Sequence, residues 1–299
     1  MSQTLEPRIA DAPRRFRPSI NWLLVFVPAA VALEYAHVQP PVLFFSAALA
    51  IVPIARLIVL STEQLATRTG DAIGGLLNAT FGNAPELIIA LVALRAGFFD
   101  MVRASIIGAI LANLLLAIGV AFLLGGLRHH TQEYNSGAAR LYSSMMLISA
   151  VSLGVPSAFN RFFSPDGTIH EEKLVNLGTA FVLLAAYAFY LVFLLKTSGS
   201  AVAMARKNKL DLTVGIAMGS SIQIALFVAP VLVLASIFVA PQPLELSFSR
   251  AELGTLFLGV LVGAIVAGDG RSNWYKGVQL VLMYLMIAIL FYFLPQGAH

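Results

Sequence analysis

The region from about Gly70 to Gly126 is a run of apolar segments that carries one carboxylate at membrane depth, within Gly82-Asn83-Ala84-Pro85-Glu86. A Glu at membrane depth is expensive, and it persists mainly where it faces a bundle interior, an ion path or a proton relay. Asn83 adds an amide oxygen one turn away, while Gly82 and Pro85 are residues that interrupt a helix and free backbone carbonyls. Carboxylate, amide and carbonyl oxygens are hard ligands of the kind that suit calcium or another hard cation. The same carboxylate can take a proton when the cation leaves, because burial favours the neutral acid and a bound cation favours the anion. Competition of cation and proton for Glu86 is a mechanism for exchange. The plainer alternative is a Glu near a helix end that snorkels or pairs with Arg95 or Arg103.

Two further regions supply polar groups at matching intervals. Asp100 is followed eight residues later by Gly108 and then by Ala-Ile-Leu-Ala-Asn113; Asp211 is followed eight residues later by Gly219 and then by Ser220-Ser221-Ile-Gln223. Each places an acid at a helix mouth, a glycine further in and a side-chain amide about a turn beyond. Asn113, Ser220, Ser221 and Gln223 can thus line a wall opposite Glu86 as neutral oxygen donors, or make ordinary interhelical hydrogen bonds. Thr80 and Asn78, with Gly74 and Gly75, form the approach to Glu86, the glycines serving either an ion route or close packing. Glu63 and Arg56 lie seven apart on roughly one face and read either as a gate or as a structural interhelical pair.

The elements that must position these groups are transmembrane helices. Of 299 residues, 59% are hydrophobic and 11% charged, with a mean hydropathy of +0.85, the balance of an all-α polytopic membrane protein. Nine segments are apolar enough to cross, at about 20–37, 41–61, 72–94, 102–126, 140–158, 174–195, 212–239, 251–268 and 275–294. Pro28 and Glu34 interrupt the first. With the N-terminus inside, thirteen Lys and Arg fall on the cytoplasmic side and five outside, with Arg56 within a span, which is the expected bias. Asp100 then enters the membrane from outside and Asp211 from the cytoplasm. Regions 70–126 and 200–239 are accordingly read as inverted repeats, an arrangement of secondary transporters. Residues 1–19 form a cytoplasmic tail and 20–299 a single transmembrane domain.

Other chemistries find no support. The absence of cysteine excludes a disulfide framework and thiolate sites. The net charge of +4 is scattered between apolar segments, so no nucleic-acid partner is indicated. The first residues, with Arg8, Arg14, Arg15 and Arg17, are polar and show no cleavage site. Neither a phosphate-binding loop nor a Ser nucleophile elbow occurs, so the chain is not read as an enzyme or an ATP-driven pump. His37, His129, His130, His170 and His299 lack zinc spacing. The loop Asn160 to Lys173 reads as an external turn, and Asp269 with Arg271 and Lys276 as a cytoplasmic one.

The run Leu-Leu-Asn78-Ala-Thr80-Phe-Gly82-Asn83-Ala-Pro85-Glu86-Leu-Ile-Ile-Ala resembles the first signature of the calcium/proton exchangers of the calcium/cation antiporter superfamily. The run from Asn208-Lys209-Leu-Asp211 through Gly219-Ser220-Ser221-Ile-Gln223 to Pro230 resembles the latter half of their second signature, and Asp269-Gly-Arg-Ser-Asn273-Trp274 their last cytoplasmic turn. The resemblance implies an inverted-repeat exchanger fold and antiport of calcium against protons. Glu86 would be the metal and proton carboxylate, with Asn83 beside it, Asn113 on the following helix, and Gln223, Ser220 and Ser221 on its counterpart. Gly82, Thr80, Asn78, Glu63, Gly108 and Gly219 would support them. No permanent cofactor is implied; calcium is the transported ion, protons and membrane lipids the other partners, and a homo-oligomer is left open. A bacterial inner membrane is the expected location.

The family implies eleven helices and two Gly-Asn-Ala-x-Glu motifs, and here the chain departs from it. The second Glu should precede Asp211 by fourteen residues, the interval from Glu86 to Asp100, but that position is Thr197. Two helices are missing between about Lys196 and Ser200, which leaves nine and preserves the orientation of everything downstream. Impaired transport, or a scaffold built on the exchanger fold, is therefore one alternative, and sodium-coupled cation exchange another.

Overall fold

The computed structural model describes residues 19–69, 80–162, 169–197 and 209–293. Nearly all of them are helical. A 3-10 turn, Ile20–Val25, leads into α1, Phe26–Tyr35, followed by α2, Pro40–Thr69. The next helical residues, Thr80 and Phe81, end in a turn at Gly82 and Asn83, and α3 begins afresh at Ala84–Arg95. Then come α4, Phe99–Leu111, a π-helical segment Ala112–Ala117, and α5, Ile118–His129, as one continuous rod. After α6, Ser136–Phe162, and α7, Ile169–Thr197, the same sequence of parts recurs: α8, Lys209–Gln223, a π-helical segment Ile224–Val228, and α9, Ala229–Val239. The chain closes with α10, Arg250–Ala267, and α11, Trp274–Phe293. Residues fall into two compact units, Met1–Ser61 and Thr62–His299, the second of which holds Asn83, Glu86, Asn113, Ser220 and Gln223.

Seven helices among the described residues are long and apolar enough to cross a membrane, and they coincide with seven of the nine predicted segments. The chain is a multi-pass membrane protein. The first predicted segment is a shorter apolar helix, Ile20–Tyr35. The third is broken, as Gly82 and Pro85 foretell: glycine tolerates the turn, and proline at the start of α3 lacks an N–H the helix would not have used.

The outer surface carries large apolar side chains, among them Phe189, Ile265 and Phe238, which is the inside-out distribution lipid demands. Glycines set the closest helix approach. A methyl at Gly119 would stand 2.9 Å from Val281 Cγ2, and methyls at Gly126 and Gly277 would overlap the backbone at Trp274 and Leu123, so α5 and α11 meet backbone to backbone.

The two ends of this unit group the loops as the predicted topology requires. At one end, Gly97 to Asp100, Lys173 and Asn176 on α7, and Gln242 to Glu245 surround a cavity of about 960 Å³. There the link between α9 and α10 runs extended, with Leu244, Leu246 and Phe248 turned in and buried. Side chains clamp its backbone: Asn176 donates to the Leu244 carbonyl (2.7 Å) and accepts from the Leu246 N–H (3.0 Å). Ser157 accepts from Phe248 and Ser236 from Leu244, both at 2.7 Å. A capping box then starts α10, Ser249 and Glu252 each accepting from the other's backbone N–H.

At the other end the turn predicted around Asp269 is more than a turn. Thr131–Glu133 (β1) pairs antiparallel with Arg271–Asn273 (β2), Gln132 opposite Ser272, so a two-stranded ribbon joins the α5–α6 and α10–α11 links. Lys276 caps it, donating to Asp269 (2.5 Å) and to the Arg271 carbonyl (2.8 Å). Asp211 accepts from the Asn135 N–H at 2.6 Å, which ties the mouth of α8 to this end.

Candidate functional site

The turn that breaks the helix before α3 determines where its polar residues point. Asn83 occupies the N-cap position, where an Asn side chain ordinarily binds the first free N–H groups, yet it makes no capping bond. It reaches across the bundle instead. Its Nδ2 donates to Gln223 Oε1 at 2.6 Å, and its Oδ1 accepts from the Ser220 hydroxyl at 2.6 Å. Asn113 Nδ2 donates to the same Ser220 oxygen at 3.3 Å. Asn83 is 2% exposed, so both ends of its amide need these partners.

Four side chains predicted from three separate stretches thus form one hydrogen-bonded chain, Asn113–Ser220–Asn83–Gln223. The π segments explain how it closes. Asn113 lies inside the first, and Gln223 is the residue from which the second starts. A π turn widens the helix locally and re-aims its side chains, and it falls at corresponding points of the two repeats. The glycines one turn earlier behave alike: a methyl at Gly108 or Gly219 would meet nothing within 4 Å. Unlike Gly119 and Gly277, they serve no contact and border open space.

Glu86 stands in the first turn of α3, three residues past Asn83, where the helix N-terminus favours a negative charge. Its carboxylate turns back to its own backbone N–H, and the residue is exposed rather than sealed in the core. Among the described residues it forms no ion pair. Arg103, one partner the sequence allowed it, is engaged with Asp100 one turn back on α4 and with the Glu245 carbonyl at 3.2 Å. The snorkelling pair with Arg103 is therefore not formed, because a neighbour on its own helix holds the guanidinium.

Ser221, predicted for the same wall, points elsewhere. It is 0% exposed and donates to the Ala217 carbonyl at 3.0 Å and to the Ile110 carbonyl at 3.4 Å. Adjacent residues on a helix project about 100° apart, so only one of two serines can face Asn83. Thr80 lies directly before the break. Asn78, Gly74, Gly75 and the side chains of Glu63 and Thr197 lie outside the described residues. Arg56 and Glu63 occupy the single helix α2.

Sequence reasoning missed the π segments, the clamped link and one aromatic cluster. Tyr187 on α7 stacks on Phe227 in the second π segment, with ring centroids 5.1 Å apart. Among the described residues no group of three or more acidic, His or Cys side chains gathers as a metal cluster.

Comparison with known proteins agrees with this layout. The family described as sodium/calcium exchanger protein matches residues 40–196 and 199–293. The Ca(2+)/H(+) antiporter of Aphanothece halophytica is 32% identical, over 91% of this chain and 96% of its own. The Ca(2+)/H(+) antiporter ChaA of Bacillus subtilis (strain 168) is 32% identical over 90% and 97%. The solved structure of native YfkE has a TM-score of 0.80 at 32% identity, covering 92% of this chain and 100% of that one. The alignment to the Aphanothece protein runs over 361 positions but draws on about 272 of the 299 residues here. About 89 positions of it therefore meet no residue of this chain. The two matched stretches of the family part between Lys196 and Gly199, beside Thr197.

Proposed function

The chain belongs to the sodium/calcium exchanger protein family, a family of transporters, and from that premise we propose that it exchanges calcium for protons at Glu86. The observation that carries the proposal is the meeting of Asn83, Ser220, Gln223 and Asn113, with Asn83 at the N-cap of the helix whose first turn holds Glu86. Relatives named Ca(2+)/H(+) antiporters support the choice of ions. Calcium takes six to eight oxygens. Here the carboxylate would supply charge, and the amide and hydroxyl oxygens would complete the shell. Because Asn83 Oδ1 and Gln223 Oε1 already accept hydrogen bonds, an arriving cation must take them from Ser220 and Asn83. When the cation leaves, the bonds re-form and the carboxylate takes a proton. In both states these oxygens then have a partner, the cation in one and a hydrogen-bond donor in the other, and cation binding costs the donors Ser220 and Asn83 a bond each.

Uptake of calcium into proteoliposomes under an imposed pH gradient tests this. Gradient-dependent uptake that disappears in Glu86→Gln is expected; uptake that survives the substitution removes Glu86 from the mechanism. Separate sodium and proton gradients distinguish sodium coupling. Bacterial relatives make a bacterial inner membrane the location we favour.

One observation favours a second reading. Where the inverted repeat calls for a second carboxylate, the chain has Thr197, and about 89 positions of a relative have no counterpart. A divalent ion held by one carboxylate is left undercompensated. On this reading the chain binds calcium weakly and carries it poorly, or serves as a scaffold. Calcium binding lost in Glu86→Gln, without any flux in the parent protein, is the result that selects it.

A further inference from the structure

Tyr187 is buried deep in the second unit, 4% exposed, on a helix that belongs to neither repeat. Burying a tyrosine where a phenylalanine would fill the same space is favourable only if its hydroxyl finds a partner. That partner is Thr80: a hydrogen bond joins the two hydroxyls. Thr80 is in the helical turn immediately before the Gly82–Asn83 break. The face of the Tyr187 ring meanwhile stacks on Phe227, at 5.1 Å between centroids and 30° between planes. Phe227 sits in the π segment that begins directly after Gln223, four residues along. One side chain thus contacts a side chain from each of the two segments that carry Asn83 and Gln223, the two amides that meet at 2.6 Å.

We infer that Tyr187 is a positioning residue of the exchange site, holding the broken helix at Thr80 against the second π segment at Phe227 so that Asn83 and Gln223 keep their register. The ring supplies bulk and contact with Phe227, and the hydroxyl supplies direction. Without the hydroxyl the ring would still stack, but the turn carrying Asn83 and Glu86 would lose its tie to α7 through Thr80. A tie of this kind matters where two halves of a site come from elements free to move separately, because a small misplacement of a ligand is felt directly in affinity.

The inference rests on the exchange proposed above, and two readouts keep the two apart. Tyr187→Phe preserves the stack and removes only the hydroxyl; Thr80→Val removes the other end. Loss of one neutral hydrogen bond predicts about fivefold faster deuterium uptake in the peptide Thr80 to Glu86, with peptides of α10 and α11 unchanged. In proteoliposomes the apparent KM for calcium should rise by about the same factor while turnover holds, and the double variant should be no worse than either single one. Wild-type deuterium uptake in that peptide, equal loosening of all helices, or additive effects of the two substitutions would each overturn the inference. If the parent protein shows no calcium flux, the exchange proposal falls, and the local deuterium uptake still decides whether Tyr187 positions the turn.

Discussion

Ser220 and Ser221 are neighbours in sequence and both are buried or half-buried, yet the structure assigns them different energetic weight. Ser220→Ala removes the donor to Asn83 Oδ1 (2.6 Å) and the acceptor for Asn113 Nδ2 (3.3 Å). Asn83 is 2% exposed, so its oxygen has no water to turn to. Interhelical hydrogen bonds in membrane proteins contribute about 0.6 kcal/mol on average and up to about 1.7. One short, part-buried bond and one long one therefore put Ser220→Ala at about 1–2 kcal/mol of destabilisation. Ser221→Ala removes a donation to the Ala217 carbonyl, already used by the helix, and a long contact to Ile110. Its loss should cost about 0.5 kcal/mol, even though Ser221 is the more buried of the two. Reversible unfolding of purified protein in mixed detergent micelles measures both. Equal destabilisation, or a larger effect at Ser221, would refute the claim that Ser220 is the hub of the polar chain.

Gly277→Ala should destabilise by about 1–3 kcal/mol, because its methyl would overlap the Leu123 backbone, whereas Gly108→Ala meets nothing within 4 Å and should be neutral or slightly stabilising in the same unfolding assay. Asn176→Ala strands the Leu244 carbonyl and the Leu246 N–H, costs about 2–4 kcal/mol, and should speed proteolysis within the link between α9 and α10 before other loops. The Asp269 carboxyl lies below its usual value of 3.8: burial pushes it up, but the hydrogen bond and charge of Lys276 and the backbone N–H groups of Arg271 and Asp269 more than offset that. A depressed carboxyl stabilises the fold above the ordinary carboxylate range and loses that contribution as pH falls through its folded value. The stability difference between wild type and Asp269→Asn should accordingly be constant above about pH 5 and shrink on further acidification.

Much of the site was legible because polar groups at membrane depth are few and their spacing repeats. Asn83, Asn113, Ser220 and Gln223 stand out from apolar surroundings, and the shared interval from Asp100 and Asp211 indicates that two helices present them from opposite sides. The break before α3 was readable from Gly82 and Pro85 for the same local reasons. The choice between Ser220 and Ser221 was not, since it depends on helix rotation. The division of glycines into those that pack, such as Gly277, and those that border space, such as Gly108, depends on what the opposite helix presents. The π segments have no compositional signature. Strands of three residues are too short to show an alternating pattern, so the ribbon at Thr131 and Arg271 was hidden within two turns. Tyr187 reads as one more apolar-helix aromatic until Thr80 and Phe227 are seen beside it.

The central claim is that one carboxylate, Glu86, holds the cation and the proton in turn. Adding calcium to the purified, weakly buffered protein and following the pH measures this without a membrane or a second gradient. Release of protons on calcium addition, abolished in Glu86→Gln and retained in Ser221→Ala, is the predicted result. Calcium binding with no proton release, or undiminished release from Glu86→Gln, would contradict it.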